Sequence, residues 1–209
     1  MKTVFIEAKH KGIVKLTSSI ISKLPKKVGL VSTIQFLHNL PSIKRQLTKE
    51  YKTAIIGGQI IGCNFSKAAK IKNKVDCFLF IGTGEFHPLG LAFDINKPIF
   101  ILNPISLTLT KISKDEVEAY KKRRKGAYLK FLTAKNIGIL VTTKQGQSQL
   151  NNAIALKNKL KDKSVYLFLT DTLDINQLEN FPFIDAWVNT ACPRIIEDKV
   201  GIINLEEIK

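Results

Sequence analysis

The segment Ile137-Gly138-Ile139-Leu140-Val141 is an uninterrupted apolar run that lies between two stretches of helical period. Before it, Ser113 and Glu116 have the spacing of a capping box, and they open a helix that the apolar pattern extends to residue 132. After it, a second helix is predicted to begin at Ser148, with an apolar stripe that starts at Leu150. Residues 113–160 therefore predict a helix, a buried strand and another helix in succession.

Other short apolar runs predict further strands, and most of them are continuously apolar rather than alternating. With the run at 137–142, the predicted strands are residues 4–8, 28–33, 54–57, 77–82, 98–102, 165–170, 186–189 and 201–204. Continuously apolar strands are typical of parallel sheets that are covered on both faces. Because these strands alternate with helices, the sequence predicts an α/β fold.

The best candidate for a joint between domains is the segment Asn103-Pro104, which Thr108-Leu109-Thr110 follows. Pro104 disfavours helical geometry at Asn103 and ends the fifth predicted strand. We therefore expect two α/β domains, residues 1–106 and 107–209, each built on a mainly parallel sheet flanked by helices.

Composition is that of an ordinary globular protein with a basic charge. The 209 residues include three cysteines, and 33 Lys and Arg against 17 Asp and Glu give a net charge of +16. The apolar runs are far shorter than the roughly 18 to 20 residues that cross a bilayer, and the first residues lack a signal-peptide pattern. We expect a cytoplasmic protein with reduced cysteines and no membrane contact. Because the lysines are spread along the chain, no dedicated nucleic-acid site is expected.

Two cysteines directly follow predicted strands. The first strand exit is Gly57-Gly58-Gln59-Ile60-Ile61-Gly62-Cys63, and the second is Ala191-Cys192-Pro193-Arg194. The carboxyl ends of parallel strands are where such sheets bind ligands, so the two thiols are candidates for a soft metal or an iron–sulfur cluster. Buried packing is the alternative for each of them. Cys77 lies inside an apolar strand and is interpreted as packing.

Three other segments have both a chemical and a plain structural interpretation. His87, in a glycine-rich strand exit, is either a proton-transfer group or a loop histidine held by hydrogen bonds. The turn 142–148 is either a site for a carboxylate or phosphate at a helix start or an ordinary connection. The basic run 121–125 is either a solvated helix end or a contact for nucleic acid or an acidic partner.

In their order along the chain, these segments resemble the diphthamide-synthesis family, the 2-(3-amino-3-carboxypropyl)histidine synthases. The resemblance rests on Gly58-Gln59-Ile60-Ile61-Gly62-Cys63, Gly82-Thr83-Gly84-Glu85-Phe86-His87-Pro88-Leu89-Gly90, Lys144-Gln145-Gly146-Gln147, Trp187-Val188-Asn189-Thr190-Ala191-Cys192-Pro193-Arg194 and the opening Leu24-Pro25-Lys26-Lys27-Val28-Gly29-Leu30-Val31. Family members have three related α/β domains, and the segments match the middle and C-terminal ones.

The resemblance implies an enzyme that holds a [4Fe-4S] cluster and binds S-adenosylmethionine as co-substrate. The cluster breaks the bond from sulfur to the γ-carbon, and the 3-amino-3-carboxypropyl group is transferred by a radical route to a histidine of translation elongation factor two. Cys63 and Cys192 are then the cluster ligands from the middle and C-terminal domains. Arg194, Gly146 and Gln147 are candidates for binding S-adenosylmethionine, and His87 is a candidate catalytic residue.

The resemblance also implies a partner, because the chain lacks a match to the family's N-terminal domain and its cysteine. We expect one piece of a split enzyme, with another polypeptide supplying that domain and the third thiolate, in a homo- or hetero-oligomer. A non-catalytic accessory subunit of the same enzyme is a second hypothesis. A basic α/β module that binds RNA or ribosomes is a third.

Overall fold

The computed structural model describes Val4 and residues 6–62, 64–196 and 201–208. The chain divides into two compact units, Met1–Glu118 and Ala119–Lys209. This division lies beyond the joint expected near residue 106, because the hairpin after Asn103 remains in the first unit. There the N–H of Asn103 donates to the carbonyl of Thr108 (3.0 Å).

The first unit is a five-stranded sheet with helices on both faces. Its strands are β1 (Lys27–Ser32), β2 (Thr53–Gln59), β3 (Cys77–Ile81), β4 (Ile99–Leu102) and β5 (Leu109–Lys111), in the order β2-β1-β3-β4-β5. The first four are parallel, and β5 runs antiparallel to β4. Its helices are α1 (Ser18–Ser22), α2 (Leu40–Lys49), α3 (Ser66–Ala69) and α4 (Phe86–Asp94), with 3-10 turns at Ile34–Asn39 and Lys72–Lys74.

The second unit is a four-stranded, wholly parallel sheet. Its strands are β6 (Asn136–Thr142), β7 (Ser164–Thr170), β8 (Ala186–Asn189) and β9 (Ile202–Asn204), in the order β7-β6-β8-β9. Helix α5 (Lys114–Thr133) spans the division between the units, and α6 (Leu150–Lys159) follows β6. Short 3-10 turns lie at Ile175–Asn180, Pro193–Ile196 and Leu205–Glu207. The predicted fold class, two mainly parallel sheets flanked by helices, is confirmed.

Burial on both faces explains why the central strands are continuously apolar. All five residues of β3 are buried. Cys77, Leu79 and Ile81 pack against the cluster that includes α2, while Phe78 and Phe80 pack against the opposite cluster, which includes α4. A strand with helices on either side requires apolar side chains at every position, as the sequence predicted.

Two parts of the strand prediction differ from the structure. Among the described residues of the segment 4–8, none is in a strand, and Val4 and Ile6 are 81% and 88% exposed. The apolar pattern there has no neighbouring strand against which to pair. Conversely, Leu109–Lys111 forms β5, which is too short and too polar to stand out as a strand in the sequence.

Helix α5 begins where the capping box predicts. The N–H of Ser113 donates to Oε2 of Glu116 (2.7 Å), and the N–H of Glu116 donates to Oγ of Ser113 (3.1 Å). The two bonds satisfy N–H groups that have no partner within the helix. Hydrogen bonding from the side chain of Ser113, followed by that from its backbone, lowers the pKa of the Glu116 carboxyl. Among the described residues, no helix, α5 included, is both long and apolar enough to cross a membrane.

The two units repeat one packing arrangement at a spacing of 109 residues. In the first, the ring of Phe78 on β3 lies over Gly29 of β1, where a Cβ would come within 2.7 Å of it. In the second, Trp187 of β8 lies over Gly138 of β6 so closely that a Cβ would overlap the indole ring. Each glycine therefore leaves free the space that the aromatic ring of the neighbouring strand occupies.

In each unit, a carboxylate at the equivalent position connects the starts of two neighbouring strands through hydrogen bonds. Asp76, just before β3, accepts from the N–H of Lys27 (3.1 Å). Asp185, just before β8, accepts from the N–H groups of Asn136 (2.7 Å) and Lys135 (3.0 Å). These two donors lower the pKa of Asp185. The shared glycine, ring and carboxylate identify the units as related.

We expect Gly138→Ala to destabilise the second unit by about 1–3 kcal/mol, because the new methyl group overlaps the ring of Trp187. That ring has little room to shift, since Phe168 and Phe181 contact it edge-on at centroid distances of 4.8 and 6.1 Å. Urea denaturation followed by the fluorescence of Trp187, the sole tryptophan, measures the change.

The matched control is Gly126→Ala on α5, where a Cβ would meet nothing within 4 Å. Alanine there is expected to raise the free energy of unfolding by up to about 1 kcal/mol through helix propensity. Equal effects of the two substitutions would contradict the steric role of Gly138.

Candidate functional site

The glycine-rich exit of β2 forms a tight turn. Gly58 has φ +87°, a left-handed conformation that favours glycine. The backbone then closes between Ile61 and Asn64, whose N–H groups donate to each other's carbonyls at 3.3 and 3.0 Å. Cys63, the predicted cluster ligand of this unit, lies outside the described residues. Its two neighbours in sequence, Gly62 and Asn64, follow the carboxyl end of β2.

Two aromatic rings join this turn to helix α4. Phe86, at the start of α4, packs against Gly62 so closely that a Cβ there would overlap its ring. In return, Phe65 packs against Gly90 in the same helix, where a Cβ would lie 2.8 Å from Cζ of Phe65. The structure therefore brings together two of the sequence motifs, the glycine-rich exit and the segment that contains His87.

His87 lies in the first turn of α4 and is half-buried. Its ring centroid is 5.2 Å from that of Phe86 and 6.4 Å from that of Phe80. These aromatic neighbours hold the imidazole beside the ring that packs on Gly62. The catalytic assignment of His87 stays a prediction.

Cys192 and Cys77 occupy different surroundings. Cys192 is half-buried in the loop after β8, at the carboxyl edge of the second sheet. Cys77 is fully buried in β3. Burial, followed by the nearby charge of Asp76, raises the pKa of the Cys77 thiol to about 12. Because a thiolate is the form that binds metals, Cys192 is the better placed of the two to act as a ligand.

Asn189, the last residue of β8, holds the loop that carries Cys192. Its Oδ1 accepts from the N–H of Ala191 (3.0 Å), and its Nδ2 donates to the carbonyl of Cys192 (3.3 Å). Thr190 fixes the same loop to β6, because its Oγ1 donates to the carbonyl of Leu140 (2.8 Å). Both side chains are about 1% exposed, so these bonds are shielded from water.

A chain of polar contacts continues from Asn189 to helix α5. Asn189 Nδ2 donates to Oδ1 of Asn204 (2.9 Å), and Asn204 Nδ2 donates to Oε1 of Glu207 (2.9 Å). The same Glu207 oxygen pairs with Nη2 of Arg124 at 3.0 Å, where the carboxylate side chain is 9% exposed. We name Arg124, Glu207, Asn204 and Asn189 the polar chain. It connects a basic residue on α5 to the backbone of Cys192.

Sequence reasoning did not identify three members of the polar chain, namely Arg124, Glu207 and Asn204. A usable signal was present, because Asn189 and Asn204 each end a short apolar strand, and parallel pairing places them opposite each other. Arg124 was read within the basic run 121–125. The other four residues of that run are exposed on α5, whereas Arg124 is half-buried and also lies 5.5 Å from the ring of Tyr120.

The candidates for binding S-adenosylmethionine lie on loops that follow adjacent strands. Gly146 (φ +79°) and Gln147 form an exposed turn after β6, where the N–H of Gln147 donates to the carbonyl of Lys144 (3.1 Å). Arg194 is exposed in the 3-10 turn after Cys192. Since β6 and β8 are parallel neighbours, both loops lie at the carboxyl edge of one sheet. Their role in binding stays a prediction.

The thiol of Cys192 suits an iron–sulfur cluster in chemical type, in exposure and in its place at a sheet edge. Within residues 4, 6–62, 64–196 and 201–208, no three His, Cys, Asp or Glu side chains are grouped as metal ligands. The described part of the chain therefore offers one suitable thiol, and further thiolates are needed for a complete ligand set.

We expect Asn189→Ala to destabilise the second unit by about 2 kcal/mol or more, because the buried N–H of Ala191 and the amide of Asn204 both lose their partner. The freed loop is also expected to raise the alkylation rate of Cys192, measured by mass spectrometry of its peptide. Asn152→Ala is the control, since Asn152 is exposed and bonds to nearby Gln149 (2.9 Å). An unchanged alkylation rate in Asn189→Ala would contradict the positioning role.

Comparison with known proteins gives consistent matches over most of the chain. The family model described as "Putative diphthamide synthesis protein" matches residues 1–201. The 2-(3-amino-3-carboxypropyl)histidine synthase of Pyrococcus horikoshii is 33% identical over 192 residues, which are 87% of this chain and 54% of the relative. The Methanocaldococcus jannaschii enzyme of the same name is 32% identical and aligns with 100% of this chain and 62% of its own length. The chain thus spans little more than half of these relatives.

A solved structure agrees with the sequence matches. The crystal structure of Dph2 from Pyrococcus horikoshii with a 4Fe-4S cluster superposes with a TM-score of 0.77 at 32% identity, covering 90% of this chain and 57% of that one. A human relative named 2-(3-amino-3-carboxypropyl)histidine synthase subunit 1 is 26% identical and aligns with 82% of this chain and 40% of its own length. The ordered motifs, the paired α/β units and these matches agree, and the chain belongs to the diphthamide synthesis family.

Proposed function

We propose that this chain is part of an iron–sulfur transferase that catalyses the first step of diphthamide formation. The acceptor is a histidine of translation elongation factor two, and the donor is S-adenosylmethionine. The observation that carries the proposal is the place of Cys192, a half-buried thiol at the carboxyl edge of a parallel sheet on a loop fixed by Asn189. The reduced thiols that this chemistry requires are maintained in the cytoplasm, where we expect the protein to act.

Cys63 and Cys192 would hold a [4Fe-4S] cluster, with a third thiolate from elsewhere. When bound and reduced, such a cluster supplies the electron that breaks the bond from sulfur to the γ-carbon of S-adenosylmethionine. The protein's own contribution is to fix the thiols and leave room at the strand ends. The close contact of Phe86 with Gly62 and the bonds of Asn189 to the Cys192 loop are suited to that task.

Arg194 and the turn at Gly146 and Gln147 would bind the amino-acid end or the ribose of S-adenosylmethionine. A guanidinium pairs with a carboxylate through two parallel hydrogen bonds, which fixes orientation as well as position. Arg194 is exposed within one turn of Cys192, and the Gly146 turn follows the neighbouring strand. His87 would accept or donate a proton during transfer to the acceptor imidazole.

The two units correspond to the middle and C-terminal domains of the synthase, and we propose that another polypeptide supplies the N-terminal domain with the third thiolate. Relatives named subunit 1 support an enzyme built from more than one kind of chain. Homo- or hetero-oligomers of the assembled enzyme fit the same proposal.

Anaerobic reconstitution with iron and sulfide, with and without the candidate partner polypeptide, tests this function. With dithionite present as the reductant, we expect the reduced cluster to give an electron paramagnetic resonance signal when the partner is present. We also expect transfer of the labelled 3-amino-3-carboxypropyl group to elongation factor two. Cys63→Ala and Cys192→Ala should each reduce cluster loading and abolish transfer, because each removes a thiolate ligand.

Cys77→Ala is the matched control, since that thiol is buried in the core at the amino-terminal start of β3 rather than at the carboxyl edge of the sheet. It is expected to leave cluster loading intact in the folded protein. Full loading and turnover by this chain alone would refute the need for a partner. Unchanged transfer by complexes containing Cys63→Ala or Cys192→Ala would instead indicate an accessory subunit. Salt-sensitive RNA binding that survives both substitutions would favour the basic binding module.

A further inference from the structure

The hydrogen bonds of the polar chain run in one direction along its whole length. An ionised carboxylate only accepts, so Glu207 requires the donor end of the Asn204 amide, and its Oε1 accepts from Nδ2 of Asn204 (2.9 Å). The acceptor end of that amide then faces Asn189, whose Nδ2 donates to it (2.9 Å). Asn189 is left with Oδ1 for the N–H of Ala191 (3.0 Å) and with a second Nδ2 hydrogen for the carbonyl of Cys192 (3.3 Å).

The backbone of the Cys192 loop requires the same direction from the other end. The N–H of Ala191 only donates and the carbonyl of Cys192 only accepts, so the amide of Asn189 has one orientation that satisfies both. Its Nδ2 then needs an acceptor on Asn204, and the amide of Asn204 in turn needs an acceptor at residue 207. Glu207 therefore completes a set of bonds in which neither amide can turn over without losing a partner.

Arg124 supports the accepting end of the polar chain. Its Nη2 lies 3.0 Å from the same Oε1 of Glu207, and the two side chains are 28% and 9% exposed. A carboxylate so largely removed from water is stabilised by a charge-assisted bond to a guanidinium. The ring of Tyr120 lies 5.5 Å from Cζ of Arg124 and borders the guanidinium. The ion pair thus holds the carboxylate at the end of the row of amides.

The first unit has apolar side chains where the second has the two amides. In the register of the internal repeat, the paired residues Asn189 and Asn204 correspond to Phe80 and Ile101, which also pair across neighbouring strands. Phe80 and Ile101 are buried in an apolar cluster, and the loop Gly82-Thr83-Gly84-Glu85 that follows β3 carries no cysteine. The related fold therefore forms without polar residues at this position. The amides occur in the unit whose corresponding loop carries a cysteine.

We propose that Arg124 and Glu207 are positioning residues for Cys192, and that they act through the two amides to hold its loop in a single conformation. This role rests on the proposed function only in taking Cys192 as a cluster ligand. A buried polar network in place of apolar packing adds little net stability, but it fixes orientation. A thiol on a loop fixed in this way meets the cluster without rearrangement of the backbone.

Asn204→Asp tests the direction of the bonds with almost no change in shape. It removes the donor that faces Glu207 and places two carboxylates at hydrogen-bond distance. We expect the alkylation rate of Cys192 in the metal-free chain, measured by mass spectrometry of its peptide, to rise at least about fivefold. Adding Glu207→Gln should lower the rate again, because an amide donor then faces the new carboxylate. Glu206→Gln is the matched control at an exposed neighbouring position outside the polar chain, and it should leave the rate unchanged.

Substitutions of Arg124 test the other end. Arg124→Met removes the cation that pairs with Glu207 and should raise the alkylation rate of Cys192. Arg124→Lys keeps the charge and should raise the rate less. Equal rates for Arg124→Met and the wild-type chain would overturn the role of the ion pair.

Urea denaturation followed by the fluorescence of Trp187 separates positioning from stability, because it gives the unfolded fraction of each variant. An alkylation rate that rises only in proportion to the unfolded fraction would overturn the proposal. An unchanged rate in Asn204→Asp, or no recovery when Glu207→Gln is added, would overturn it as well.

Iron bound after anaerobic reconstitution with the partner polypeptide connects the loop to the cluster. We expect Asn204→Asp to bind less iron than the wild-type chain, and the double variant to recover. Alkylation that follows the expected pattern while iron loading stays unchanged would contradict Cys192 as a ligand, and with it the proposed function. The same result would support the positioning of the loop by Arg124 and Glu207.

Discussion

An aromatic ring lying across a glycine at the centre of each sheet is the contact on which both units depend. Phe78 over Gly29 and Trp187 over Gly138 fill space that any side chain on the central strand would occupy. The glycine lets a large ring pack between strand and covering segment, and the ring in turn fixes how the two strands lie together. This pairing aligns the carboxyl ends of the strands at one edge of each sheet. In the second unit, the candidate ligand loop at Cys192 follows β8 at that edge.

Much of this arrangement could be predicted from the sequence because it follows from burial. Strands covered on both faces must be apolar throughout, so the runs at β3 and β6 stand out without any alignment. The capping box at Ser113 and Glu116 is equally local, since both its bonds join residues three apart. By contrast, β5 exists only because β4 offers it a partner, and its own three residues carry no apolar pattern. The strand predicted at residues 4–8 differs in the other direction, because Val4 and Ile6 are apolar but exposed and no described strand pairs with them.

In the candidate site, too, local features could be predicted from the sequence, whereas contacts that form on folding could not. Cys192 and Arg194 could be named as candidates from the sequence because a buried strand ending in a chemically active residue is visible in one short stretch. The polar chain beneath Cys192 is harder to predict, because Asn189 and Asn204 become neighbours only when β8 and β9 pair, and Arg124 meets Glu207 only in the folded chain. Its cost is the burial of amides and a carboxylate, which is tolerable only when each group finds a partner. A network of this kind fixes one conformation of the loop, whereas apolar packing alone would hold it less specifically.

The internal repeat shows that the two units use different strand exits for their cysteines. Cys63 follows β2, the second strand of its unit, whereas Cys192 follows β8, the third strand of the other, and the residue 109 positions before Cys192 is Thr83. In the first unit the glycines that shape the exit of β2 also break the regularity of that edge. In the second unit the corresponding strand, β7, is followed by Asp171 rather than by a glycine-rich turn, and it remains regular to its end. Because no cysteine loop follows β7, its pairing with β6 stays in register over all seven residues.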